Sequence, residues 1–157
     1  MHDKSNKQTC IESIKRFTIP PFQFDLTNIQ EGQEQLDLIR DLIDLDQDEE
    51  IICSTYVNEK LWSILTTRRI KTLEGVRKKD HILDKLKRFD SGDFKGYSGQ
   101  KFTKGFLQFE DDVIVPIFIE TGRASMVMIY GIKTIFDSTR VNRQYFDQII
   151  YSKTKLN

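Results

Sequence analysis

Few side chains in these 157 residues are able to do chemistry, and their spacing suits catalysis poorly. Cys10 and Cys53 lack metal-ligand spacing, and two cysteines in a chain of this length make no disulfide framework. A nucleophilic Ser or Cys needs an activating base beside it. The only histidines are His2, in a polar N-terminal stretch, and His81, in a basic stretch read as a linker. Cys53, between Ile52 and Ser54 in a β-rich run, reads as a small buried residue and not as a thiolate. Asp44-x-Asp46-x-Asp48 looks like the start of a calcium loop, but Glu49 stands at the sixth position, where glycine is needed, and Thr55 at the twelfth. That segment reads as a solvated acidic turn. Glu110, Asp111 and Asp112, adjacent between two expected strands, read as an exposed hairpin turn. No catalytic, metal-binding or cofactor-binding residue is assigned, and no cofactor is expected.

The basic residues offer contact chemistry instead. Arg68, Arg69 and Lys71 fall in an expected strand, and Arg77, Lys78 and Lys79 in an expected connecting loop. Lys85, Lys87 and Arg88 fall in a further strand, where Lys85 and Lys87 share a face. Such residues either keep an edge strand from pairing or meet an anionic partner. The aromatic residues do not interleave with them as a stacking platform requires, which disfavours nucleic acid. The formal net charge of zero conceals an imbalance: residues 1–50 hold 5 Lys/Arg against 12 Asp/Glu, and residues 60–104 hold 13 against 5. An acidic N-terminal segment packed near a basic face of the same domain explains this, as does an anionic partner.

The elements that must position these groups follow from hydrophobic periodicity. Residues 1–9 are polar and are expected to fray, with a short helix over Cys10–Phe17. Pro20 and Pro21 force an extended segment from Thr18 to Phe24, from which Ile19, Phe22, Phe24 and Leu26 are expected to dock. Leu38, Ile39, Leu42 and Leu45, flanked by Leu36 and Ile43, predict an amphipathic helix over about 28–45, capped by Thr27 or Asn28. From Ile51 the period changes to two, predicting strands at about 51–57, 60–66, 68–73, 82–89, 103–109 and 113–120. Leu61, Ser63 and Leu65 face one way and Trp62 and Ile64 the other, both faces largely apolar. Ser91 to Gln100, with three glycines, reads as the loosest segment, and Gly105 as a bulge or a point of close approach. A C-terminal helix of about 123–137 carries Met128, Ile129, Ile132, Ile135 and Phe136, and a second short helix is expected to reach Tyr151.

The order of elements from Ile51, with Asp48-Glu49-Glu50 ahead of it and Leu65-Thr66-Thr67-Arg68-Arg69-Ile70 in a hairpin, resembles the bacterial pleckstrin-homology-like (PH-like) domains. Lys85-Leu86-Lys87-Arg88-Phe89, the glycine-containing connection and the run from Leu107 to Ile135 continue the likeness over about 48–137. The resemblance implies an α+β fold, in which a strongly bent antiparallel β-sheet or barrel, or two nearly orthogonal sheets, is capped by a C-terminal helix. It leaves residues 1–47 as an N-terminal extension to a domain of 48–157. Inositide-binding members use a basic loop between their first two strands; here that turn is Asn58-Glu59, short and acidic.

These readings together predict a bacterial, cytoplasmic, non-enzymatic binding or scaffold protein that acts through protein–protein contact or self-association. The alternative is peripheral attachment to an anionic membrane through the basic 68–88 region, and a toxin-immunity role is one special form of the first. The start lacks the apolar core of a signal peptide, and the longest apolar run, around Met126 to Ile132, is far shorter than the roughly 20 residues of a membrane span.

Overall fold

The computed structural model describes residues 2–31 and 37–139. The fold is α+β: an N-terminal helix, two antiparallel sheets and a C-terminal helix. In chain order these are α1 (His2–Phe17), β1 (Thr27–Ile29), α2 (Asp37–Arg40), β2 (Ile51–Asn58), β3 (Leu61–Thr66), β4 (Arg69–Glu74), β5 (Arg77–Ile82), β6 (Leu86–Asp90), β7 (Phe102–Phe109), β8 (Ile114–Glu120) and α3 (125–139). Strands β1 to β5 pair in sequence order as one sheet and β6 to β8 as a second, and neither closes into a barrel.

Residues 2–9 do not fray as expected, because α1 runs back to His2. Its i, i+4 pair, Cys10 and Ile14, is fully buried in the core between the sheets, and the Cys10 thiol donates to the Gly131 carbonyl of α3 at 3.4 Å. From α3, Val127, Met128, Ile132 and Ile135 enter the same core, joined by Leu65 of β3, Leu107 and Phe109 of β7, and Val115, Ile117 and Ile119 of β8. Gly131 permits the close helix–sheet approach, since an added Cβ would lie 2.7 Å from a Leu65 methyl carbon. The extended segment after α1 docks only in part: Phe24 packs on the core, while Ile19 and Phe22 stay exposed.

The helix predicted over about 28–45 is not formed at either end of that range. Thr27–Ile29 instead adds strand β1 to the edge of β2, with Ile29 opposite Cys53, and the helix among the described residues of this range is Asp37–Arg40. Leu36 and the second helix expected toward Tyr151 lie outside the described residues. The apolar spacing nonetheless marked the right anchors. Ile39 and Ile43 are buried on the outer face of the five-stranded sheet with Ile51, Trp62 and Ile64, and Leu42 and Leu45 pack at their margin. Segment 37–50 is thus a strap across that face, turned at Asp48, whose φ is 66°. With Leu65 on one face and Trp62 and Ile64 on the other, β3 is buried on both sides.

Three strand boundaries differ from expectation. The β2–β3 turn is Glu59-Lys60, one residue later than read, with the Lys60 amide donating to Asn58 Oδ1 at 2.9 Å. Arg77, Lys78 and Lys79, expected in a loop, lie in β5, which pairs with β4 throughout. The strand predicted over 82–89 is broken by a 3-10 turn at Leu83–Lys85, where Leu83 turns into the core. Gly105 is a point of close approach, since a Cβ there would collide with the Asp90 carbonyl of β6.

Candidate functional site

The sequence brings two arginines together at the β3–β4 turn, and the fold sends them to different elements. Arg68, in the turn, grips Asp3 of α1 with Nε at 3.0 Å and Nη2 at 2.7 Å, and the Thr67 hydroxyl donates to the same carboxylate at 2.7 Å. Arg69, opening β4, grips Glu49 of the strap with Nε at 3.0 Å and Nη2 at 2.6 Å. Glu49 also accepts the Thr66 hydroxyl at 2.6 Å and the Asp46 amide at 2.8 Å. A bidentate guanidinium–carboxylate pair is a strong, directional contact. Glu49 is therefore no part of a solvated turn, for its side chain is fully buried.

Charge states follow from these contacts. The Arg68 hydrogen bond holds the Asp3 carboxyl below its ordinary value, outweighing the burial that opposes it. Burial pushes Glu49 up, yet hydrogen bonds from Arg69, Thr66 and the Asp46 amide carry it below the ordinary carboxylate value. Lys71 is buried and paired with Asp80 of β5 at 3.1 Å. Arg68, Arg69 and Lys71 thus serve internal contacts, and β4 lies inside the sheet and not at its edge. Beside the arginine pairs, an open cleft of about 690 Å³ is lined by Asp3, Lys4, Arg40, Asp44, Asp46 and Asp48, among others.

The remaining predicted contact residues occupy the two terminal strands β5 and β6 and the turn between them. Lys78 donates to the Leu42 carbonyl of the strap at 3.0 Å, with its ammonium 6.0 Å from the Trp62 ring, and Lys79 donates to the Ile114 carbonyl of β8 at 3.1 Å. Arg77, Lys85, Lys87 and Arg88 are exposed and make no ion pair among the described residues. Beside Arg88 lies what the sequence reading missed, the exposed apolar side chains Phe106 at 43% and Ile114 at 48%, with Val113 at 39% in the adjoining turn; Ile82, at 52%, alternates with Lys78 and Asp80 on the strap side of β5. In β7, Lys104, Phe106 and Gln108 alternate with the buried Gly105, Leu107 and Phe109, so Phe106 faces outward, and the register sets Arg88 and Ile114 on either side of Gln108. The alternation was readable; that β7 has one covered and one open face was not.

Among the described side chains, the two cysteines and His81 are otherwise engaged. Cys10 and Cys53 are buried, which pushes the Cys10 thiol up to about 12 and Cys53 well above its ordinary value. His81 stacks on Phe109 at 3.8 Å between ring centroids. Its Nε2 meets Asp111 at 3.0 Å and its Nδ1 the Ile82 carbonyl at 2.8 Å, so it joins β5 to the β7–β8 turn. Among the described residues no group of His, Cys, Asp and Glu is arranged to hold a metal, and no helix is long and apolar enough to cross a membrane. Comparison of the chain with protein-family models, with curated proteins and with solved structures finds no match.

Proposed function

We propose that the chain is a bacterial, non-enzymatic binding or scaffold protein of PH-like architecture that works by protein–protein contact. The architecture is supported by a meander of four strands, β2 to β5, followed by the three of β6 to β8 and then α3. It is supported also by the contact between the two parts of the motif, since Glu49 of the acidic lead-in is the partner of Arg69. The observation that carries the function is the exposed apolar group Phe106, Val113 and Ile114 beside Arg88, which makes no described ion pair. Apolar side chains ringed by charge form the core-and-rim pattern of a protein interface. Size-exclusion chromatography with light scattering, paired with a pull-down from the native cell, tests this. Either an oligomer or a specifically captured protein is expected, and a strict monomer that captures nothing refutes it. A toxin-immunity role is the special case in which the captured protein is a toxin.

One observation favours peripheral binding to an anionic membrane as a second reading. Val76, at the tip of the β4–β5 hairpin, is 97% exposed and adjoins Arg77, and the other free cations follow along β5 and β6. Arg68, Arg69 and Lys71 add little to such a surface, being internally paired. Sedimentation with vesicles rich in anionic lipid should show binding at low salt that is lost at high salt. Absence of binding at low salt ends this reading.

A further inference from the structure

Cys10 of α1 and Cys53 of β2 are far apart in sequence, and the fold buries both thiols completely in one core. Both sulfurs lie against a single residue, Gly131 of α3. The Cys10 thiol donates to the Gly131 carbonyl at 3.4 Å, and the Cys53 sulfur is 3.4 Å from the place a Cβ on Gly131 would take. A side chain at 131 would crowd Cys53, Leu65 and Ile14, and glycine supplies none. The two thiols are also within electrostatic reach, since charge on Cys10 raises Cys53 further. Of the 16 residues of α1, Cys10 and Ile14 are the apolar side chains that are fully buried. Its other contacts are mostly polar pairs, Asp3 with Arg68 and Thr67, Asn6 with Ser138 and Ser13 with Thr134, together with the stack of Phe17 on Tyr130. An element held in this way can open locally while the strands stay paired.

We propose that Cys10 and Cys53 form a reversible disulfide when α1 opens in the presence of a peroxide, making a redox latch between α1 and β2. The device does not depend on which partner the chain binds. With α1 closed, burial pushes the Cys10 thiol up to about 12 and Cys53 well above its ordinary value, so almost no reactive thiolate exists. With α1 lifted, the Cys10 thiol returns toward its ordinary value of 9.0 and its thiolate fraction rises about a thousandfold. Cys10, carried into water on the helix, attacks one peroxide oxygen. The O–O bond breaks, Cys10 becomes a sulfenic acid, and the departing hydroxide takes up the thiol proton as water. The Cys53 thiolate then attacks the Cys10 sulfur; the S–S bond forms, the S–O bond breaks, and hydroxide leaves with the Cys53 proton as a second water. Two thiols lose two electrons and one peroxide becomes two waters. The bond closes a long loop and ties the helix to the sheet, and exchange with two equivalents of a small thiol reverses it.

Treatment of the full chain with hydrogen peroxide, followed by thiol counting in denaturant, non-reducing electrophoresis and peptide mapping by mass spectrometry, provides the test. Both thiols should be lost together, in a single chain whose Cys10 and Cys53 peptides are linked and lighter by two hydrogens. A small thiol should restore them, and the oxidised chain should melt at a higher temperature than the reduced one. Asp3→Asn, which weakens the hold of Arg68 on α1 by about 1 kcal/mol, should speed the reaction about fivefold and give the same product. Cys53→Ala should stop at the Cys10 sulfenic acid, trapped as its dimedone adduct; if that substitution unfolds the chain, the rate in Asp3→Asn carries the test. Oxygen adducts on the cysteines or links between chains in place of the internal bond overturn the latch. So do two thiols that survive in both the wild-type chain and Asp3→Asn, or an oxidised form that melts below the reduced one. Equal rates in the two chains overturn the opening of α1 as the gate.

Discussion

Two neighbouring arginines, Arg68 and Arg69, hold two different elements, because the β3–β4 turn directs one guanidinium to α1 and the other to the strap. Glu49→Gln leaves the half-buried Arg69 with only its longer contacts to Asp46 and Asp80, both at 3.7 Å, and chemical denaturation should show a loss of about 2 kcal/mol. Asp3→Asn, whose partner Arg68 is 38% exposed, should cost about 1 kcal/mol. Both carboxyls are lowered in the folded chain, so their stabilisation is present above their ordinary values of 3.8 and 4.5 and is lost as pH falls through the lowered ones. His81 has the opposite sign. Burial pulls it down, but the bonds to Asp111 and Ile82 raise it, and a neutral ring can donate to only one of these two acceptors. Its contribution is therefore complete below the ordinary value of 6.5 and fades as pH rises through the raised one. An NMR titration of the His81 ring should give a midpoint above 6.5 that falls in Asp111→Asn; an unchanged midpoint would show that the contact carries no weight. Asp48-Glu49-Glu50 and the two arginines were legible as a motif. Nothing in the sequence named Asp3, 65 positions from Arg68, as a partner.

Element by element, strands rich in β-branched residues were readable from their period of two, and β2, β3, β7 and β8 lie within a residue or so of expectation. The failures have one cause, which is that periodicity reports what must be buried and not the backbone that buries it. Ile39, Leu42 and Leu45 match helical spacing, yet a strap with one short turn of helix delivers them to Trp62 and Ile64. Arg77 to Ile82 carries almost no apolar signal because β5 ends the sheet and needs none, its charges keeping the open edge from pairing. Ile43→Ala should cost about 2–3 kcal/mol and raise amide exchange in β3, as the strap loosens. Gly105→Ala should be as harmful, since a Cβ there meets backbone, which cannot rotate away, and not a yielding side chain. Unchanged exchange in β3 would show that the strap is not what covers it.

At the scale of the whole molecule, the described N-terminal segments share one core with the β-sheets. α1 supplies Cys10 and Ile14, and β1 supplies Ile29. Deletion of residues 1–17 should abolish the single cooperative unfolding transition in urea, because it uncovers Cys53, Leu65 and α3 together. A cooperative transition within about 1 kcal/mol of the full chain would show that α1 is dispensable. The sequence by itself determined the α+β class, the separation of acidic and basic charge along the chain, and the apolar residues that need cover, since each depends on composition and near-neighbour spacing. Only the tertiary structure decided which charges cancel and which stay free. Asp3–Arg68 and Glu49–Arg69 join residues 65 and 20 positions apart, whereas Arg88 is left exposed beside Phe106. Pairing over such separations depends on how strands and helices meet in space, and no local pattern encodes it.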